Sequence, residues 1–198
     1  MYMNYTSYQK SRNLAWEILI NEGISALPVK TGELCRSMGI RVVAHDGKIG
    51  NCGDGQSTIL NGKPTIAVNT CTSLERQRFT VAHEIGHILL GHVGEYQLVN
   101  REPSPNDNPI EQEANIFASR LLAPACVLWA LDIHSAEEIA ELCRISKTAA
   151  KFRAERMEAL YAREKQFLKE KGKSCFLISP LEKQVFEQFK EFIGERRA

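Results

Sequence analysis

A chain of 198 residues, 43% hydrophobic and 25% charged, has the make-up of a soluble globular protein. It is long enough for one domain with an appendage, and its core needs no staples. The net charge of +1 excludes a surface tuned throughout to nucleic acid.

The N-terminus, Met-Tyr-Met-Asn-Tyr-Thr, has no basic region followed by an apolar run, and Glu17 interrupts the first apolar cluster, Leu14 to Ile20. No secretory signal is expected. The longest apolar stretch, Leu121 to Leu131, contains Pro124 and is too short to span a bilayer. The six cysteines (35, 52, 71, 126, 143 and 175) form no Cys-x-x-Cys pair. They read as reduced thiols of a cytoplasmic protein, and no ligand spacing supports zinc at Cys52 and Cys71.

Leu14, Ala15, Ile18 and Leu19 recur at helical spacing and predict a helix over 7–22; a shorter one is expected over 31–38. The period then changes. Segments 39–46, 56–60 and 64–69 are short and β-branched, and Asn61-Gly62 between the last two signals a hairpin. The expectation is a small antiparallel sheet of three strands. Strand 64–69 is also a candidate edge for an extended substrate.

Thr72-Ser73-Leu74-Glu75 fits a capping box with Thr72 as N-cap, opening a helix that runs to Leu90 and stops at Gly91. Residues 94–109 are polar and hold three prolines, which predicts a loop. The next helix starts near Asn108-Pro109 and ends before Pro124.

The helix ending at Leu90 contains His83-Glu84-Ile85-Gly86-His87. Two histidines four apart project from one helix face and can reach one metal ion, and Glu84 beside them can take a proton from an activated water. A third protein ligand is needed. His92 lies beyond the Gly91 stop, and three-histidine spacing would put the ligand at Val93 instead, so His92 is a weak choice. Glu111 and Asn115, four apart on the following helix, fit better: one carboxylate for the metal, and one side chain that hydrogen-bonds a ligand histidine from behind. Glu113 is the alternative, pointing about 200° away from Glu111 around the helix.

"RFTVAHEIGHILLGH" (78–92) followed by "EQEANIFASRLLAP" (111–124) resembles the ImmA/IrrE metallopeptidases, as do strand 64–69 and segment 135–160 in order and spacing. The resemblance covers roughly residues 10–160. It implies an α+β fold, with a small zincin-like domain whose short antiparallel sheet packs on the active-site helix, followed by a helical C-terminal part. It implies one Zn2+ per chain on His83, His87 and Glu111, with Glu84 as general base. Relatives of this kind belong to bacteria and their mobile elements, where they cleave a helix-turn-helix repressor encoded nearby and so switch genes on. Ala123 departs from the pattern, which usually has Met before the proline. His92, Tyr96 and His45 are candidates for oxyanion or substrate contacts.

Segment 137–157 has the look of a helix-turn-helix, although Arg144 stands where glycine is expected and Phe152 falls off the apolar register. Residues 144–173 carry ten Lys or Arg against four Glu. The alternative function is therefore a non-catalytic regulatory module that binds DNA or a transcription regulator through these basic helices. Ser179-Pro180 then opens a helix with an apolar stripe of Leu181, Val185, Phe186, Phe189, Phe192 and Ile193. The expected organisation is a metallopeptidase domain over 1–132, a helical subdomain packed on it over 133–173, and an amphipathic helix over 174–198.

Overall fold

The computed structural model describes residues 5–47, 53–94 and 108–198. The fold is mixed α+β, and it divides into two compact units. Two of the three boundaries fall inside helices, α1 (Tyr5–Asn21) and α4 (Pro109–Leu122), and the third lies between Val29 and Lys30.

The first unit comprises Met1–Leu14 and Lys30–Ala118. It holds α2 (Thr31–Ser37), β1 (Arg41–His45), β2 (Gly55–Leu60), β3 (Lys63–Asn69) and α3 (Leu74–Leu90). The hairpin forms as expected: Asn61 and Gly62 take φ of 52° and 70°, and β2 pairs antiparallel with β3. The expected all-antiparallel sheet needs correcting. The strand order is β1-β3-β2, and β1 runs parallel to β3, Val42 opposite Ile66. β3 is thus the central strand, with both edges engaged, and cannot take on a substrate strand.

Strand alternation sorts the faces. Gly55 and Ser57 of β2 lie opposite Val68 and Ile66 of β3, and all four are buried. Helix α3 covers this sheet. Its N-cap is Ser73, one residue later than expected, because the Thr72 hydroxyl donates to Asn69 O at 2.9 Å while Ser73 Oγ accepts from Arg76 N–H. Gly91 ends it in the left-handed conformation, φ 79°.

The second unit comprises Ala15–Val29 and Ser119–Ala198. Beyond α4 it contains α5 (Ala125–Ala130), α6 (Ala136–Cys143), α7 (Lys147–Lys171), α8 (Pro180–Gln188) and α9 (Lys190–Arg197). A full capping box, Ser135 with Glu138, opens α6, and α6 packs on α7. Arg144 adopts the left-handed conformation, φ 51°, at the turn position that favours glycine. Phe152 is exposed, in keeping with its place off the apolar register. The core is built from Leu19, Leu128, Ile139, Met157, Val185 and Phe189. No helix among the described residues is long and apolar enough to cross a membrane.

Candidate metal centre

The cluster of interest lies wholly within the first unit. On α3, Val81, Ala82 and Ile85 are buried, which anchors the helix by its apolar residues. His83 and His87 project together one turn apart, with ring centroids 4.6 Å apart and planes at 70°. Their Nε2 atoms are 2.9 Å from each other.

Helix α4 brings Glu111 to both. Its Oε2 lies 3.2 Å from His83 Nε2 and its Oε1 3.2 Å from His87 Nε2. Close approach of the two helices depends on Gly86. A Cβ there would meet Phe117 Cδ1 at 3.0 Å and Ala114 Cα at 3.3 Å, on the α4 turn that follows Glu111. His83, His87 and Glu111 are all buried.

Donor chemistry decides what such a group can hold. Nδ1 of His83 faces Asn115 Oδ1 at 2.9 Å, and an amide oxygen only accepts. His83 therefore donates through Nδ1 and turns a bare Nε2 toward His87 and Glu111. Glu111 Oε1 is buried and, though near His87 Nε2, makes no hydrogen bond. A buried carboxylate oxygen without a donor is costly. A cation touching all three side chains removes that penalty. The set, two imidazoles and one carboxylate with ligand atoms within 4.8 Å of one another, could hold a metal ion. Mixed nitrogen and oxygen donors suit a transition-type cation better than calcium or magnesium, which take oxygen shells. The neighbouring imidazoles, His83 first and then His87, hold the Glu111 carboxyl far below the usual carboxylate range, outweighing its burial.

Glu84, next to His83, is 2% exposed and accepts a 2.7 Å hydrogen bond at Oε2 from the Ser57 hydroxyl of β2. Gly55, two residues earlier, admits the helix: a Cβ there would overlap Thr80 Cγ2 and lie 3.7 Å from Glu84 Cγ. Sequence reasoning missed Ser57. Its signal is parity: a small polar residue shares the inward face of β2 with a glycine, where an apolar one is the rule.

His92 stands beside this group. Its Nδ1 is 3.1 Å from His87 Nδ1, and its Nε2 is 3.2 Å from Glu113 Oε2. Burial foremost, and next the neighbouring His87, draw the His92 pKa below its ordinary value against the pull of Glu113. Glu113 thus faces His92 while Glu111 faces the two helix histidines. His45 lies at the end of β1, where its Nδ1 accepts from Gly47 N–H at 3.0 Å. Tyr96 lies outside the described residues.

A peptidase family model, the IrrE N-terminal-like domain, matches residues 35–155, more than half of the chain. A comparison with curated proteins finds no match.

Proposed function

The chain belongs to the IrrE N-terminal-like peptidase family, and on that premise we propose that it is a zinc endopeptidase acting in the cytoplasm on a helix-turn-helix transcriptional repressor. Cleavage would relieve repression of genes beside its own, as expected on a mobile genetic element. The observation that carries the reading is the meeting of His83, His87 and Glu111 in one buried group, with Glu84 adjacent in sequence.

In this reading His83 and His87 hold the ion through Nε2, Glu111 holds it through its carboxylate, and Asn115 keeps His83 in the required tautomer. The ion, when bound, supplies Lewis acidity toward a water and a peptide carbonyl. Glu84 accepts the proton of the attacking water on its carboxylate and returns it to the leaving amine. Ser57, donating to Oε2, orients that carboxylate. β2 is an edge of the sheet among the described residues and carries Ser57 beside Glu84, so an extended substrate segment would join at β2.

The test is to incubate the full chain, loaded with zinc, with the repressor encoded beside its gene and to read the products by mass spectrometry. Wild type is expected to make a discrete cut that a chelator abolishes. Glu84→Gln should keep its zinc and lose the cut, and Glu111→Ala should lose most of its zinc. Wild-type cleavage by Glu84→Gln would refute the peptidase mechanism.

A further inference from the structure

The end of α3 does more than stop a helix. Behind Gly91, two backbone bonds close: Gly91 N–H to Ile88 O at 3.3 Å and His92 N–H to His87 O at 2.9 Å. This pair is the Schellman pattern, made possible by the positive φ of Gly91. It turns the chain back on the last turn and sets the His92 ring against that of His87, centroids 5.2 Å apart and planes at 68°. From α4, Glu113 closes the line: Glu113 Oε2 to His92 Nε2 is 3.2 Å, and His92 Nδ1 to His87 Nδ1 is 3.1 Å.

The direction of these bonds follows from the carboxylate end. A carboxylate only accepts, so His92 donates through Nε2. A neutral imidazole that donates through Nε2 accepts through Nδ1, so His87 donates through its own Nδ1. His87 Nε2 is left as a bare lone pair, aimed at His83 Nε2 and Glu111. His83 reaches the same form by a separate route, through Asn115. Each histidine of the pair therefore has its own partner fixing which nitrogen is free.

We propose that His92 and Glu113 are positioning residues that lock His87 in the tautomer and ring orientation a metal ion requires. The proposal rests on the metal-site reading above. It also assigns His92 a use without a place on the metal: both of its ring nitrogens are engaged, so neither is left for an ion or an oxyanion. The device is local in origin. Gly91 supplies the reversal, and the two-residue offset between Glu111 and Glu113 on α4 sends one carboxylate to the ion and the other to His92.

The experiment uses the full-length chain and two readouts besides activity. Long-range nitrogen–proton NMR of zinc-free protein should show His87 protonated at Nδ1 in wild type. That preference should weaken in Glu113→Gln, whose amide can donate as well as accept. Zinc affinity, measured by competition with a chromophoric chelator, should fall about 10- to 100-fold in Glu113→Gln and in His92→Phe. Combining the two should cost no more than His92→Phe alone, because the line runs through His92. His92→Asn, which can accept from His87 and donate to Glu113, should recover much of the affinity. Unchanged affinity in His92→Phe, which fills the same space, or additive losses in the double variant would overturn the proposal while leaving the metal site standing. A wild-type chain that binds no zinc would overturn both.

Discussion

Ser57 of β2 donates a 2.7 Å hydrogen bond to Glu84 of α3, across 27 positions of sequence and with both side chains buried. A neutral donor on a buried carboxylate contributes about 1.5–3 kcal/mol. Ser57→Ala should lower the melting temperature and slow cleavage. It should leave zinc content unchanged, because Ser57 touches none of the three proposed ligands. Full cleavage in a destabilised Ser57→Ala would show that the bond serves the fold and not the base.

That contact also marks where sequence reading runs out. The helix carrying His83 and His87 was legible because its signals are local: an apolar face, a left-handed stop at Gly91, and a motif whose spacing is its geometry. The Asn61-Gly62 hairpin was legible for the same reason. The parallel partner of β3 was not, since nothing within 41–45 or 63–69 states which strands will be neighbours. The cap shifted from Thr72 to Ser73 because Thr72 found a carbonyl in the preceding turn, a competition between near-equal hydroxyls. Glu113 looked like a rival of Glu111 for the metal; its partner, His92, reaches it only once Gly91 has folded the chain back.

Gly86 sets a conflict whose sign can be worked out. In a helix interior, Gly→Ala gains roughly 1 kcal/mol of propensity. Against that, the new Cβ would press on Phe117 Cδ1 at 3.0 Å and on Ala114 Cα at 3.3 Å. The second neighbour is backbone and cannot rotate away, and overpacking of this kind costs about 1–3 kcal/mol. Gly86→Ala is expected to be net destabilising and to weaken zinc binding by shifting Glu111 relative to His83 and His87. A rise in melting temperature with unaltered zinc affinity would show that α4 yields freely.

The cysteines should differ in reactivity. Burial pushes the Cys35 thiol up to about 11, and burial with the neighbouring Glu164 does the same for Cys175. Burial drives Cys126 higher still. At pH 8 a thiol at about 11 is only about one-thousandth thiolate, the form that reacts. Cys71 is exposed, its sulfur against Asp46 O. Brief iodoacetamide treatment of the folded chain, followed by peptide mapping, should label Cys71 well before Cys35, Cys126 or Cys175. Equal labelling of Cys126 would mean that its surroundings open on the timescale of the reaction.

The C-terminal stripe is carried by two short helices, α8 and α9, which meet at Phe189. Val185 and Phe189 are fully buried, and Phe176 stacks on Trp129 with centroids 5.0 Å apart. Gln188 adds two hydrogen bonds, donating from Nε2 to Leu19 O and to Ile24 O, each at 2.6 Å. These contacts lie within the second unit, so the tail serves its own fold. Removing residues 176–198 should lower the melting temperature sharply by baring Trp129 and the two carbonyls. Should the truncated chain fail to fold, Phe189→Ala is the milder probe, expected to cost about 3–5 kcal/mol in denaturant titration. Zinc content of the folded Phe189→Ala protein should be unchanged, since no proposed ligand lies beyond Glu111. An unaltered melting temperature together with lost cleavage would instead make the tail a substrate-recruiting arm.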